Sequence, residues 1–262
     1  MLAGNLGALE RNRRFLDHDL NRGWSDERLA ALRRAPPAGT PGHPLDHEDQ
    51  EQLELCAAIE QAVASARGPA YLIDLHATSA EGIPFALCRD EPNARRFAAA
   101  FPVTLVLGLI ESLSGTLAGY FGSRLTAVVV EGGQNASEQT ALNHEAVVWL
   151  AMVAAGVVAE SAVTELPALR ERLARTRGDL PAALSVHHRH AIAPGDAFRM
   201  EPGFANIQRV HADQVLAHDR RGEIRAPAEG FVLMPLYQAM GDDGFFLGGV
   251  AADRGDKHDT YA

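Results

Sequence analysis

Ala70-Tyr71-Leu72-Ile73-Asp74-Leu75-His76 is a short apolar run that turns polar at its far end, and Gly68-Pro69 closes it off upstream. Such a run reads as a buried strand of a parallel sheet, covered on both faces. Before it, His47 to Arg67 has helical spacing, with Leu55, Ile59, Ala62, Val63 and Ala66 on one face and Gly68-Pro69 as the stop. Earlier still, residues 1 to 45 are polar and loop-rich, with a proline-rich stretch from Ala35 to Gly42. After it come a helix around Glu91 to Ala100 and the strand-like Val103-Thr104-Leu105-Val106-Leu107. Ala127-Val128-Val129-Val130-Glu131-Gly132-Gly133 is a second buried strand breaking into a glycine turn, and a long helix is expected over Glu138 to Glu160.

Alternating strands and helices predict an α/β domain over residues 1–160, built on a mostly parallel sheet flanked by helices. Residues 161–182 shift toward Arg, Glu and Leu and read as a helix or linker. Residues 183–262 carry short runs broken by Gly, Pro and Asp. Examples are Leu184-Ser185-Val186-His187, Gln214 to His218, Phe231 to Met234 and Gly244 to Leu247, and they suggest a smaller β-rich domain.

With 262 residues, nearly half of them apolar, the chain can bury a substantial core without cross-links. The net charge of −10 excludes a general nucleic-acid or membrane-surface binder, since neither polyanion would be attracted. Local arginines still permit a small acidic ligand. Cys56 and Cys88 are the only cysteines and suggest no disulfide framework, which favours a reducing, cytoplasmic setting. Lys257 is the sole lysine, as expected from base composition. The start of the chain has no leader pattern, and the most apolar stretch, Ala146 to Ala159, falls short of the ~20 residues that span a bilayer.

Three elements carry chemistry. His76 stands at the polar end of a strand, where open α/β sheets place ligands, and it can offer a ring nitrogen to a metal. Asp74, two residues earlier on the same strand face, can orient a neighbour. The competing reading is a histidine bonded to a loop. Glu131 is delivered to the same sheet edge beside flexible glycines, where a partly desolvated carboxylate suits a general base; the alternative is a capping or ion-paired glutamate. Asp17-His18-Asp19-Leu20-Asn21-Arg22, after Arg11, Arg13 and Arg14, offers guanidinium forks and an amide to a carboxylate; the alternative is a solvated charged loop. His188 and His190 share a strand face and read as its polar side rather than a metal pair. Asn143-His144-Glu145 supplies polar groups near a helix N-terminus and lacks the spacing of a helical zinc site.

In this order the elements resemble the succinylglutamate desuccinylase/aspartoacylase family. Its pattern of Gly-Asn-Pro-x-Ala, Arg, Asp-Leu-Asn-Arg, Asp-Leu-His and Glu-x-Gly appears here as Gly4-Asn5-Leu6-Gly7-Ala8, Arg14, Asp19 to Arg22, Asp74 to His76 and Glu131 to Gly133. Met200 to Phe204, Ile224 to Pro227 and Leu233 to Pro235 resemble the family's small β domain. The resemblance implies a carboxypeptidase-like fold and hydrolysis of the amide of a small, carboxylate-bearing N-acyl amino acid by zinc-activated water. It implies His76 as a zinc ligand, Glu131 as the base and Arg14 as support for the carbonyl oxygen. Asn21 and Arg22 would hold the substrate carboxylate, and Tyr120 and Arg124 resemble a tyrosine-arginine pair that binds substrate.

The family's other two zinc ligands, a histidine and a glutamate in Gly-x-His-Gly-Asn-Glu, have no counterpart between Met1 and His18. One ion is expected, and a catalytic zinc takes three protein ligands. Three explanations stand: a chain start placed too late, which is favoured here; substitution by His18, His43 or His47; or a metal-free member that binds acidic metabolites. The acyl group, the amino acid and the oligomeric state are not legible in the sequence.

Overall fold

The computed structural model describes residues 1–36, 45–238 and 241–252. The helices are α1 (Leu6–Glu10), α2 (Asp26–Arg34), α3 (His47–Ser65), α4 (Pro92–Ala98), α5 (Leu109–Ser112), α6 (Leu117–Phe121), α7 (Glu138–Ala154) and α8 (Leu166–Arg177). The strands are β1 (Tyr71–Thr78), β2 (Phe85–Cys88), β3 (Thr104–Leu107), β4 (Thr126–Gln134), β5 (Ala183–Ala191), β6 (Arg199–Met200), β7 (Gln208–Val210), β8 (Val215–Asp219), β9 (Gly222–Arg225), β10 (Gly230–Leu233) and β11 (Asp243–Val250).

The result is the expected mixed α/β fold. The strands β1-β4-β2-β3-β5-β11-β10-β7 form one eight-stranded sheet, and β6-β8-β9 form a separate three-stranded sheet. Parallel pairing runs through β2, β3 and β5, with Phe85 opposite Thr104 and Leu105 opposite Ala183. Then β5, β11, β10 and β7 pair antiparallel. The β-rich C-terminal part therefore divides: some of its strands extend the large sheet and the others make the small one. Met200, Phe204, Leu216, Val232, Phe245 and Leu247 form the buried cluster there.

Two compact units share the chain, residues 1–74 with 110–128, and residues 75–109 with 129–262. In the first, Trp24, Leu29, Cys56, Ile59 and Phe121 make the core. The buried stripe of α3 is Glu48, Gln52, Cys56 and Ile59. Leu55 and Val63 are partly buried against that core, whereas Ala62 and Ala66 are exposed. The periodicity is helical as expected, but the stripe is polar at its N-terminal end, so hydrophobicity alone rotates the reading of the face.

In the second unit, β2 and the interior of β4 are fully buried. β1 is not: it stands at one end of the sheet order, and most of its residues are half-buried. An end strand can keep the apolar composition of an interior one, which is why the run read as buried. α7 stops at Ala154, short of the expected end. Gly156 takes a φ of 71°, its N–H bonds the Val153 carbonyl and the Val157 N–H bonds Met152, the pattern of a Schellman stop. Among the described residues, no helix is long and apolar enough to cross a membrane.

Candidate functional site

In the first unit the arginine loop is a closed hydrogen-bond system. Arg14 places Nε and Nη2 on one oxygen of Asp19, at 3.1 and 2.8 Å. Burial pushes the Asp19 carboxyl up, but the Arg14 charge and hydrogen bond, with the Asn21 amide, hold it below its ordinary value. The other Asp19 oxygen accepts the Asn21 N–H at 2.9 Å, which caps the short 3₁₀ turn over Leu20–Arg22. The Asn21 side chain accepts the N–H of Leu117 at 2.7 Å, and the Trp24 N–H donates to the Gly115 carbonyl. Gly115 has a φ of 70°, and a Cβ there would strike the Arg22 carbonyl, so glycine is required by both conformation and space.

Tyr120 and Arg124 do form a pair. The Arg124 guanidinium lies 4.4 Å above the Tyr120 ring, and the Tyr120 hydroxyl donates to Asp26 at 2.9 Å. Burial, then the Asp26 hydrogen bond, pushes the Tyr120 hydroxyl pKa up. Arg124 also stands 3.9 Å from Glu60. The arginines, amide and tyrosine singled out from the sequence thus help build this unit.

A residue missed from the sequence organises the loop. Glu48 is completely buried. One of its oxygens accepts from Leu16 N–H at 2.7 Å and from Asn5 Nδ2 at 3.0 Å; the other accepts from the N–H groups of Asp17 and His18. Burial raises its pKa, but these donors more than offset that and leave it below the ordinary glutamate value. The signal was faint, since an acidic residue in the first turn of a helix is ordinarily solvated.

His18, Asp46 and Glu48 are the one set of three metal-type side chains close enough to share an ion among the described residues. Their donor atoms are already engaged. His18 Nδ1 lies 3.1 Å from Asp46, and its Nε2 takes the 2.7 Å hydrogen bond of Arg28, so the ring is neutral with its proton on Nδ1. A guanidinium beside the ring and a Glu48 saturated by donors make a structural network, not a cation cage. His47 bonds Asp17 at 2.9 Å, and His43 lies outside the described residues.

In the second unit, His76 lies in β1, two residues before its end, and Glu131 lies in β4, the strand next to it. In both, the polar atom at the tip is buried: Nε2 of His76 and Oε2 of Glu131. Asp74, on the same strand, is half-buried and closes the first unit. The glycines after Glu131 do not break into the expected turn but continue β4 as far as Gln134, and each has its own reason. A Cβ on Gly132 would overlap the His144 ring. Gly133 has a φ of 137°, and a Cβ there would stand 2.7 Å from Thr140 Oγ1.

α7 supplies what packs against them. His144 Nε2 donates to the His76 carbonyl at 2.9 Å, Asn143 Nδ2 donates to the Gly132 carbonyl at 2.8 Å, and Thr140 Oγ1 donates to the Gln134 carbonyl at 2.8 Å. Burial holds the His144 pKa below its usual value. Beyond β1, Asn206 is buried and holds the following loop, donating to Thr78 Oγ1 at 2.8 Å and accepting the Met234 N–H at 2.7 Å. His188 and His190, by contrast, belong to an aromatic stack in which the His190 ring lies 5.0 Å from Phe245 and nearly parallel to it.

His76 belongs to no set of three potential ligands among the described residues. These residues therefore do not by themselves fit a three-ligand catalytic zinc.

No family model and no curated protein matches the sequence. The fold does match solved structures. One is the succinylglutamate desuccinylase/aspartoacylase from Rhodobacter sphaeroides, with a TM-score of 0.63 and 15% identity over 96% of this chain and 74% of that one. Another is succinylglutamate desuccinylase from Vibrio cholerae, at 0.57 and 18% over 92% and 67%. A third is murine aminoacylase 3, at 0.56 and 16% over 95% and 82%. The chain thus has the fold these deacylases share.

Proposed function

We propose that the chain is a member of the succinylglutamate desuccinylase/aspartoacylase family and hydrolyses the amide bond of a small N-acyl amino acid. The observation that carries this is the placement of His76 and Glu131 on adjacent strands of a sheet whose fold is shared with deacylases. Fold alone would not assign chemistry; the histidine and the acid at that position support the reading.

In the reaction, the oxygen of water attacks the acyl carbon and the carbon–nitrogen bond breaks. Glu131 takes the proton of the water and passes it to the leaving amine, giving a free carboxylate and a free amino acid. Arg14 supports the carbonyl oxygen, exchanging its bond to Asp19 for one to the substrate. Asn21 and Arg22 hold the substrate carboxylate, and Tyr120 and Arg124 also bind substrate. Zinc dependence is part of the proposal, with His76 as the ligand this chain contributes and Asp74 as its orienting neighbour. Both cysteines are buried, and a cytoplasmic setting is part of the proposal.

The incomplete ligand set favours a second reading, a metal-free protein that binds acidic metabolites through Arg14, Asn21 and Arg22. Zinc content after dialysis, hydrolysis of N-acetyl- and N-succinyl-amino acids, and calorimetric binding of the same compounds separate the two. About one zinc per chain with release of free amine supports the hydrolase. Binding without zinc or hydrolysis supports the second reading, and neither binding nor hydrolysis overturns both.

A further inference from the structure

The helix that packs against β4 beside Glu131 does more than fill space. His144, Asn143 and Thr140 sit on adjacent turns of α7, and each directs a side-chain donor at strand backbone: at His76 in β1, and at Gly132 and Gln134 in β4. A carbonyl can only accept, so the 2.9 Å contact to the His76 carbonyl places the His144 proton on Nε2. The same ring also meets the backbone of Val130. It occupies the space that a Cβ on Gly132 would take, so the residue after Glu131 is glycine because His144 is there.

We propose that His144 is a positioning residue: its Nε2–H holds β1 at His76 to the Glu131-Gly132 segment of β4 and so fixes the two reactive side chains relative to each other. This rests on reading His76 and Glu131 as reactive groups. A histidine that merely packs would be replaceable by a ring of similar size with no donor. A positioning histidine is not, because small displacements of reacting groups cost large factors in rate.

Two variants separate these roles. His144→Phe keeps the volume and removes the donor, whereas His144→Gln keeps a donor. The expected ring nitrogen NMR signature of the wild type is Nε2–H. His144→Phe should shift backbone amide signals at residues 75–78 and 130–133, and lower kcat for N-acyl amino acid hydrolysis about 10- to 100-fold with little change in KM. His144→Gln should recover most of both. An Nδ1–H ring, unchanged amide signals in His144→Phe, or equal impairment by Phe and Gln overturns the proposal. If His144→Phe does not fold, the ring signature and His144→Gln decide it. If the wild type hydrolyses nothing, the reading of the site fails, while the ring signature and the amide signals still decide whether His144 clamps the two strands.

Discussion

The arginine loop and the Glu131 segment of β4 were singled out by the same kind of reasoning, and the structure treats them differently. In the loop, polar groups satisfy one another: Arg14 with Asp19, Asn21 with Leu117 and Glu48 with four donors. In that segment, glycines and α7 serve to bring backbone close and hold it still, while the tip atoms of His76 and Glu131 are buried. A charge-rich motif can therefore be a folding device. The other region, where glycines in β4 make room for the half-buried His144 ring, is where the proposed chemistry is placed.

The contrast breaks most sharply at Glu131. Glu131→Gln should reduce kcat about a thousandfold while leaving the thermal midpoint near that of wild type, read by steady-state hydrolysis and calorimetry. Glu48→Ala should do the reverse. It removes the buried acceptor of the Leu16 and Asp17 N–H groups and should cost about 3 kcal/mol in urea unfolding.

Acid sharpens the same point. Glu48 and Asp19 both have folded pKa values below their ordinary 4.5 and 3.8. Their stabilisation is complete above those values and is lost as pH falls through the lower folded ones. Urea midpoints should accordingly drop on acidification below about pH 4.5, and Glu48→Gln should flatten that slope. Asn21→Ala should cost about 1 kcal/mol by orphaning the Leu117 N–H. Arg124→Ala, at a largely exposed cation–π contact, should cost about 0.5 kcal/mol.

Much of the fold was legible because strands and helices here are apolar blocks punctuated by glycine and proline. β1, β3, β4 and α4 fall where the pattern put them. The exposed end position of β1 was not legible, since sheet order is set by pairing across the chain and not by composition. The early stop of α7 lay in Gly156, whose left-handed backbone is a local signal obscured by the apolar run around it.

Among the candidate residues, His76, Glu131 and the loop arginines could be found from the sequence pattern, whereas the Tyr120–Arg124 pair came from the family resemblance. Glu48 could not be found, because its partners lie about thirty to forty residues away in a loop. His144 was noticed only as a polar residue near a helix start. Its partner, the His76 carbonyl, is 68 residues distant, and a backbone carbonyl leaves no mark in the sequence.

The most direct test is the rate of free-amine release from N-acyl amino acids by the zinc-supplied wild type beside Glu131→Gln. The account predicts turnover by the wild type and a loss of about a thousandfold in the variant. Equal rates in the two proteins, or no turnover in either, would contradict it.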